Sequence, residues 1–161
     1  MASSADALVV DFTTVDNQPI EADGDWMNVS ETKKIRLLYA DNGAIVDFRQ
    51  MNDYGFMMPD KGITVSFSEM KTFHLHLSIL EKIFSSYVNT KEKNSLKIKI
   101  SEDLYCSFDS QFPCIQLRRF YTDPTTQMLR ATKTGISFKL REISALKTVL
   151  SSIDMKVTFS K

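Results

Sequence analysis

The sequence predicts an α+β fold made of two β-β-β(-β)-α repeats, packed as an intramolecular pseudo-dimer with curved antiparallel sheets and paired helices. Three observations predict it. Residues 45–84 and 115–153 run through the same features in the same order. Each copy closes in a segment whose apolar residues recur at helical spacing. And a sheet of three or four strands with one helix would leave most of one face uncovered, so two halves in one chain solve the packing problem jointly.

In the first repeat, residues 33–88, "KKIRLLYADNGAIVDF" reads as two strands joined at Asp41-Asn42-Gly43, a tight-turn signal that favours positive φ. The second strand alternates Val46 and Phe48 and ends in Arg49, before a polar turn containing Asp53. Lys61-Gly62-Ile63-Thr64 opens a further strand, where a bend or close backbone approach wants no Cβ. Ser66 and Glu69 have capping-box spacing, and Met70, Phe73, Leu77, Leu80 and Phe84 form one apolar helical stripe behind them. The linker "NTKEKNS" (89–95) separates the halves.

The second repeat, residues 96–154, opens with "SLKIKISEDLYCSFDSQFPCIQL", two or three short strands in which Lys97 and Lys99 alternate with Leu96, Ile98 and Ile100. "IQLRRFYTDPTTQMLRATKTGISF" then gives a strand ending in basic and aromatic pairs, an Asp turn, and a strand opened at Gly135. Ile143, Leu146, Leu150 and Ile153 make the closing helical stripe. Arg49 to Gly62 is four residues shorter than Arg118 to Gly135, so the first copy has a shortened hairpin.

Outside the repeats, "ALVVDFTTV" and the tail 155–161 have strand character, and Trp26 is a packing anchor for the N-terminal arm. The arm, residues 1–32, carries seven acidic and no basic side chains. The rest carries all twenty Lys and Arg against thirteen acids, a net +7 that points to an anionic partner. The arm is expected to compete with that partner for the basic face.

At 161 residues with 43% apolar content the chain fits one compact domain. No run of 18 apolar residues is present, which excludes a membrane-spanning helix, and the N-terminus lacks the features of a secretory signal. Cys106 and Cys114 read as reduced thiols, and His74 and His76, two apart on a helix, make a poor shared metal site. No P-loop, Gly-x-Ser-x-Gly, His-Glu-x-x-His or Cys-x-x-Cys is found, so neither catalysis nor a cofactor is expected.

The basic and aromatic interleaving suits single-stranded nucleic acid, which offers phosphates and unstacked bases. Phosphate contacts supply salt-dependent affinity, and stacking adds about 1–3 kcal/mol per base. Arg118, Arg119, Tyr121, Arg130 and Lys133 supply both handles on adjacent strands. Alternation puts Arg118 and Phe120 on one face and Arg119 and Tyr121 on the other. Which face binds is open.

"IQLRRFYTDPTTQMLRATKTGIS" with its following helix resembles the positive cofactor four family of transcriptional coactivators. The likeness covers residues 96–154 well and 34–87 more weakly. It implies β-β-β-β-α units whose two-fold pairs bind single-stranded or melted DNA across curved sheets. It implies contacts at Arg118, Phe120 or Tyr121, and Lys133, with Arg49 and Lys61 as their first-half counterparts. The family's hairpin aromatic would fall near Phe108, and near Tyr39 in the first copy. Gln50-Met51 stands where the second copy has Arg119-Phe120, with Tyr54 or Phe56 the nearest rings, so the first copy is expected to be mainly structural.

The expected function is therefore non-enzymatic binding of single-stranded DNA or melted duplex in transcription, replication or repair, with RNA and transcription or replication proteins as further candidate partners. Lys97 and Lys99 extend the expected surface. The expected location is the nucleus or an intracellular site of viral DNA. A protein-interaction module that keeps the fold without the ligand is the alternative, and further pairing of chains is left open.

Overall fold

The computed structural model describes residues 26–159. The first half forms strands β1 (Trp26–Asn28), β2 (Lys33–Ala40), β3 (Gly43–Met51) and β4 (Met57–Ser66), then helix α1 (Phe67–Thr90). The second forms β5 (Ser95–Lys99), β6 (Leu104–Asp109), β7 (Phe112–Thr122) and β8 (Leu129–Phe138). A short 3-10 turn (Leu140–Glu142) then leads into helix α2 (Ile143–Phe159). The strands make one antiparallel sheet in the order β1-β2-β3-β4-β8-β7-β6-β5. Four strands and a helix thus occur twice, and the sheet order mirrors itself about the β4–β8 junction.

Both helices pack on one face. Strand alternation sends Ile35, Val46, Phe48, Ile63 and Val65 to that face in the first half, and Leu104, Cys106, Phe108, Ile115, Leu117, Ile136 and Phe138 in the second. The helical stripes meet them: Phe73 lies edge-on to Phe48 at 6.2 Å, and Phe84 lies 4.8 Å from Phe108. Met70, Phe73, Leu77, Leu80 and Phe84 are all buried, each worth about 1.5–3 kcal/mol against exposure. Helix α1 starts at the expected capping box. Ser66 Oγ accepts the Glu69 N–H at 3.0 Å, and Glu69 Oε1 accepts the Ser66 N–H at 2.9 Å. It stops at Lys91, whose left-handed backbone turns its N–H back to the Tyr87 carbonyl at 2.7 Å. Burial pushes the Cys106 thiol up to about 12, and both cysteines are free.

Several boundaries differ from expectation. Trp26–Asn28 joins the sheet as β1, so the acidic arm is shorter than 1–32, and three residues were too few to show alternation. The stretch 155–159 is helix, because Val157 continues the α2 stripe one turn beyond Ile153. "ALVVDFTTV" lies outside the described residues, as does most of the arm. Gly62 and Gly135 stand inside ten-residue strands rather than opening them.

These two glycines form the register pair that joins the halves. A Cβ on Gly62 would lie 2.7 Å from the Phe48 carbonyl oxygen and 2.7 Å from Arg49 Cδ. One on Gly135 would lie 2.7 Å from Arg118 Cζ and 3.0 Å from its Cβ. Each strand therefore lets an arginine from its neighbour lie flat across it, which no larger residue permits.

One ion pair fastens each helix start to the opposite half. Arg119 of β7 donates from Nη1 to Glu69 Oε2 at 3.2 Å and from Nη2 to the Thr64 carbonyl at 2.9 Å. Lys33 of β2 donates to Glu142 Oε1 at 2.9 Å, and both side chains are buried. Burial pushes both carboxyls up, but the bonds outweigh it. Glu69 is held below its ordinary value of 4.5 by Arg119, Ser101 and the Ser66 N–H. Glu142 is held below it by Lys33 and the Lys139 N–H. Lys147 and Glu81 pair the two helices directly.

Folded-state values below 4.5 mean that both carboxylates stabilise the fold fully above that pH and lose their contribution as pH falls through the lowered values. Urea unfolding followed from pH 7 to pH 3 should show a plateau, then a fall beginning near 4.5. Gly62→Ala should cost about 2–3 kcal/mol in the same assay and Gly135→Ala less. The first meets a backbone oxygen and the second mainly a movable guanidinium.

Candidate nucleic-acid interface

Among the described residues no helix packs on the second face of the sheet. In the second half this open face is built from alternate positions of three strands: Lys97 and Lys99 of β5, Tyr105 and Ser107 of β6, Gln116, Arg118 and Phe120 of β7. Register sets Lys99 beside Tyr105 and Tyr105 beside Arg118. The Phe120 ring stands edge-on to Tyr105 at 5.1 Å, and Lys97 Nζ lies 4.5 Å from its centroid. A cation over a ring at an exposed site is worth about 0.5–1 kcal/mol, little enough for a phosphate to recruit the ammonium.

Arg118 is half-buried over Gly135. Its Nε donates to Gln116 Oε1 at 3.0 Å and its Nη1 to the Thr132 carbonyl at 3.0 Å. Burial draws it below the ordinary arginine value, with Cys114 acting the other way. Among the described residues neither Arg118, Lys97 nor Lys99 has a carboxylate partner. A fixed guanidinium, two ammonium groups and two rings on one face match the two handles of an unstacked strand.

Matching positions of the first half, counted outward from the paired glycines, carry different chemistry. Arg49 takes the place of Arg118, Asp47 that of Gln116, Arg36 that of Ser107, Lys34 that of Tyr105, Trp26 that of Lys97, and Met51 that of Phe120. Asp47 is 1% exposed and holds both arginines: Arg36 Nε at 3.0 Å and Arg49 Nε at 2.7 Å. Thr64 Oγ1 donates to the same carboxylate at 3.2 Å. The Arg36 guanidinium lies 4.4 Å over the Trp26 ring, and Lys34 donates to Asn28. Two first-half arginines thus share one buried carboxylate.

The remaining sequence-derived candidates do not join one surface. Phe108 is 1% exposed beneath helix α1, so the aromatic expected there is core; Tyr105, three residues earlier, is the ring on the open face. Alternation of Leu104, Cys106 and Phe108 already implies this. Arg119 turns to the helix side, where Glu69, Asp103 and Thr64 occupy it. Tyr121 shares the parity of Arg119 but is exposed beyond the helices, and Tyr39 is exposed at the β2–β3 hairpin. Arg130 pairs with Asp123 at 3.1 Å in the β7–β8 hairpin. Lys133 is exposed at the irregular register between Arg118 and Phe120. Lys61 is exposed but matches Thr134; Asp60 takes the place of Lys133, reversing the charge.

A scan against protein-family models gives no match, and a search of the curated proteins gives none.

Removing Arg119 strips Glu69 of its cationic partner while leaving the open face intact. Arg119→Gln should lower unfolding free energy by about 2 kcal/mol, read by urea denaturation at pH 7.

Proposed function

We propose that this chain is a non-enzymatic binder of single-stranded or locally melted nucleic acid, DNA in the first instance, serving transcription, replication or repair. We further propose that its halves are tandem copies of a unit like that of the positive cofactor four family, packed as an intramolecular pseudo-dimer. The observation that carries the binding reading is the open-face cluster of Lys97, Lys99, Arg118, Tyr105 and Phe120, whose cations have no carboxylate partner among the described residues. Ring faces can stack only on bases that are not stacked on one another, so a single strand suits this cluster and a closed duplex does not. Phosphate contacts and stacking read no base edges, so sequence preference is slight. The duplication is supported by the mirrored sheet order, the paired glycines and the arginine lying over each. The exchanged ion pairs at the two helix starts support it too.

Fluorescence anisotropy with a labelled oligonucleotide across a salt series tests the binding. The chain should bind single strand in preference to duplex, with log K falling linearly against log salt at about 0.7 per phosphate neutralised. Arg118→Ala should flatten that slope by roughly one contact. Phe120→Ala should cost about 1–3 kcal/mol at unchanged slope. No binding at low salt, or indifference to Arg118→Ala, would overturn the reading.

A further inference from the structure

We infer that residues 6–16 of this chain dock on the outer face of its two helices, over an apolar patch edged by lysines. Leu75 of α1 and Phe159 of α2 are each 75% exposed, and Ile79 and Met155 are exposed beside them. One seam joins the two helices: Lys147 of α2 pairs with Glu81 of α1, and His74 lies within electrostatic reach of Asp154. Leu75 and Met155 follow His74 and Asp154 directly in the chain, so they flank that seam together on its solvent side. Ile79 and Phe159 lie one turn further along their helices, at i, i+4 spacing.

The fold does not require these side chains. Counted from the matching carboxylates Glu69 and Glu142, Leu75 and Ile79 stand where α2 has Thr148 and Ser152. Met155 and Phe159 stand where α1 has Lys82 and Ser86. Each helix is therefore apolar on its outer face where the other is polar. Exposed apolar side chains gathered on one face and rimmed by polar ones mark a docking surface.

The acidic arm has the complementary chemistry. Residues 6–16, "DALVVDFTTVD", set Leu8, Val9, Val10, Phe12 and Val15 among Asp6, Asp11 and Asp16. The outer stripe of α1 runs Lys71, Leu75, Ile79, Lys82, a cation at each end. Among the described residues neither lysine pairs with a carboxylate; Lys71 lies over the Phe67 ring at 5.3 Å. The connection is long enough. Strand β1 lies against α2, and the ten residues from Asp16 to Trp26 span up to about 33 Å, several times the 8–10 Å between packed helices. Lys97 and Lys99 stand on β5 at the other edge of the sheet, seven strand spacings or about 34 Å from β1. Four side chains also fall short of the roughly 800 Å² per partner that a stable pair of folded copies buries, so a segment suits the patch better than a second copy. The arm then sits on the helix side and leaves the open face to its ligand.

Carbodiimide coupling of the full chain, with the links located by peptide mass spectrometry, tests this, because an activated carboxylate joins a lysine only on contact. Asp11 or Asp16 should couple to Lys71 or Lys82. A mixture of isotopically light and heavy chains separates links within one chain from links between copies, and these should fall within one chain. Leu8→Ser with Phe12→Ser should lower their yield about tenfold or more, and so should Leu75→Ser with Met155→Ser at exposed helix positions. The link between Lys147 and Glu81 is made by the folded helices themselves, so it should persist in every variant and shows that each is folded. Arm links to Lys97 or Lys99 in place of Lys71 and Lys82, or links between copies alone, overturn the inference. So does the absence of arm links where Lys147 still couples to Glu81, or a yield that survives both double variants.

Discussion

The pairing of Gly62 with Gly135 is the constraint on which the rest of the structure depends. It is the register contact that turns two four-stranded sheets into one sheet of eight. Both partners must lack a side chain, because the space above each is filled by an arginine from the next strand. The same contact that closes the fold therefore also fixes two guanidinium groups on the open face, one on each side of the junction. On the opposite face it brings the start of each helix against the other half, where Arg119 reaches Glu69 and Lys33 reaches Glu142. Burying one continuous core under two helices follows from that geometry.

A near-symmetric frame makes the chemical asymmetry legible. The backbone offers the same places twice, but the first half fills them with two arginines on one buried carboxylate and an indole. The second fills them with cations that have no carboxylate partner among the described residues, and with two rings. Buried ion pairs with several bonds are stiff and costly to break, whereas an exposed ammonium over a phenyl ring is easily redirected. The proposed function therefore places the ligand on the second half. The chemical difference arises at a handful of side chains, without any change of fold.

Much of the fold was legible in the sequence because it rests on periodicity. The stripe from Met70 to Phe84, the Ser66 capping box, the turn before Gly43 and the second-half strands all follow from local spacing. What local spacing cannot carry is which residues meet across the chain. The exchange of Arg119 and Lys33 between halves spans 50 and 109 residues, so Arg119 reads from sequence as one more surface cation. Trp26–Asn28 is too short to show alternation, and the tail from Met155 has β-branched residues that favour strand until Val157 is seen to extend a buried stripe. At the candidate site, Arg118, Phe120, Lys97 and Lys99 were legible from alternation. Phe108 lies in the core because strand parity, not its likeness in position to a hairpin aromatic, decides which ring reaches the open face, and that ring is Tyr105. The sharing of Asp47 by Arg36 and Arg49 was not legible, since Arg36 reaches the carboxylate only across a strand pair.

The central claim is that one face of one half engages unstacked bases. Ultraviolet cross-linking of the full chain to an oligothymidylate, with the adducts located by peptide mass spectrometry, tests it most directly. Adducts should fall on Phe120 and Tyr105, with none on Trp26 or on Tyr54 and Phe56. Adducts confined to those first-half rings, under conditions where the chain binds, would contradict the account.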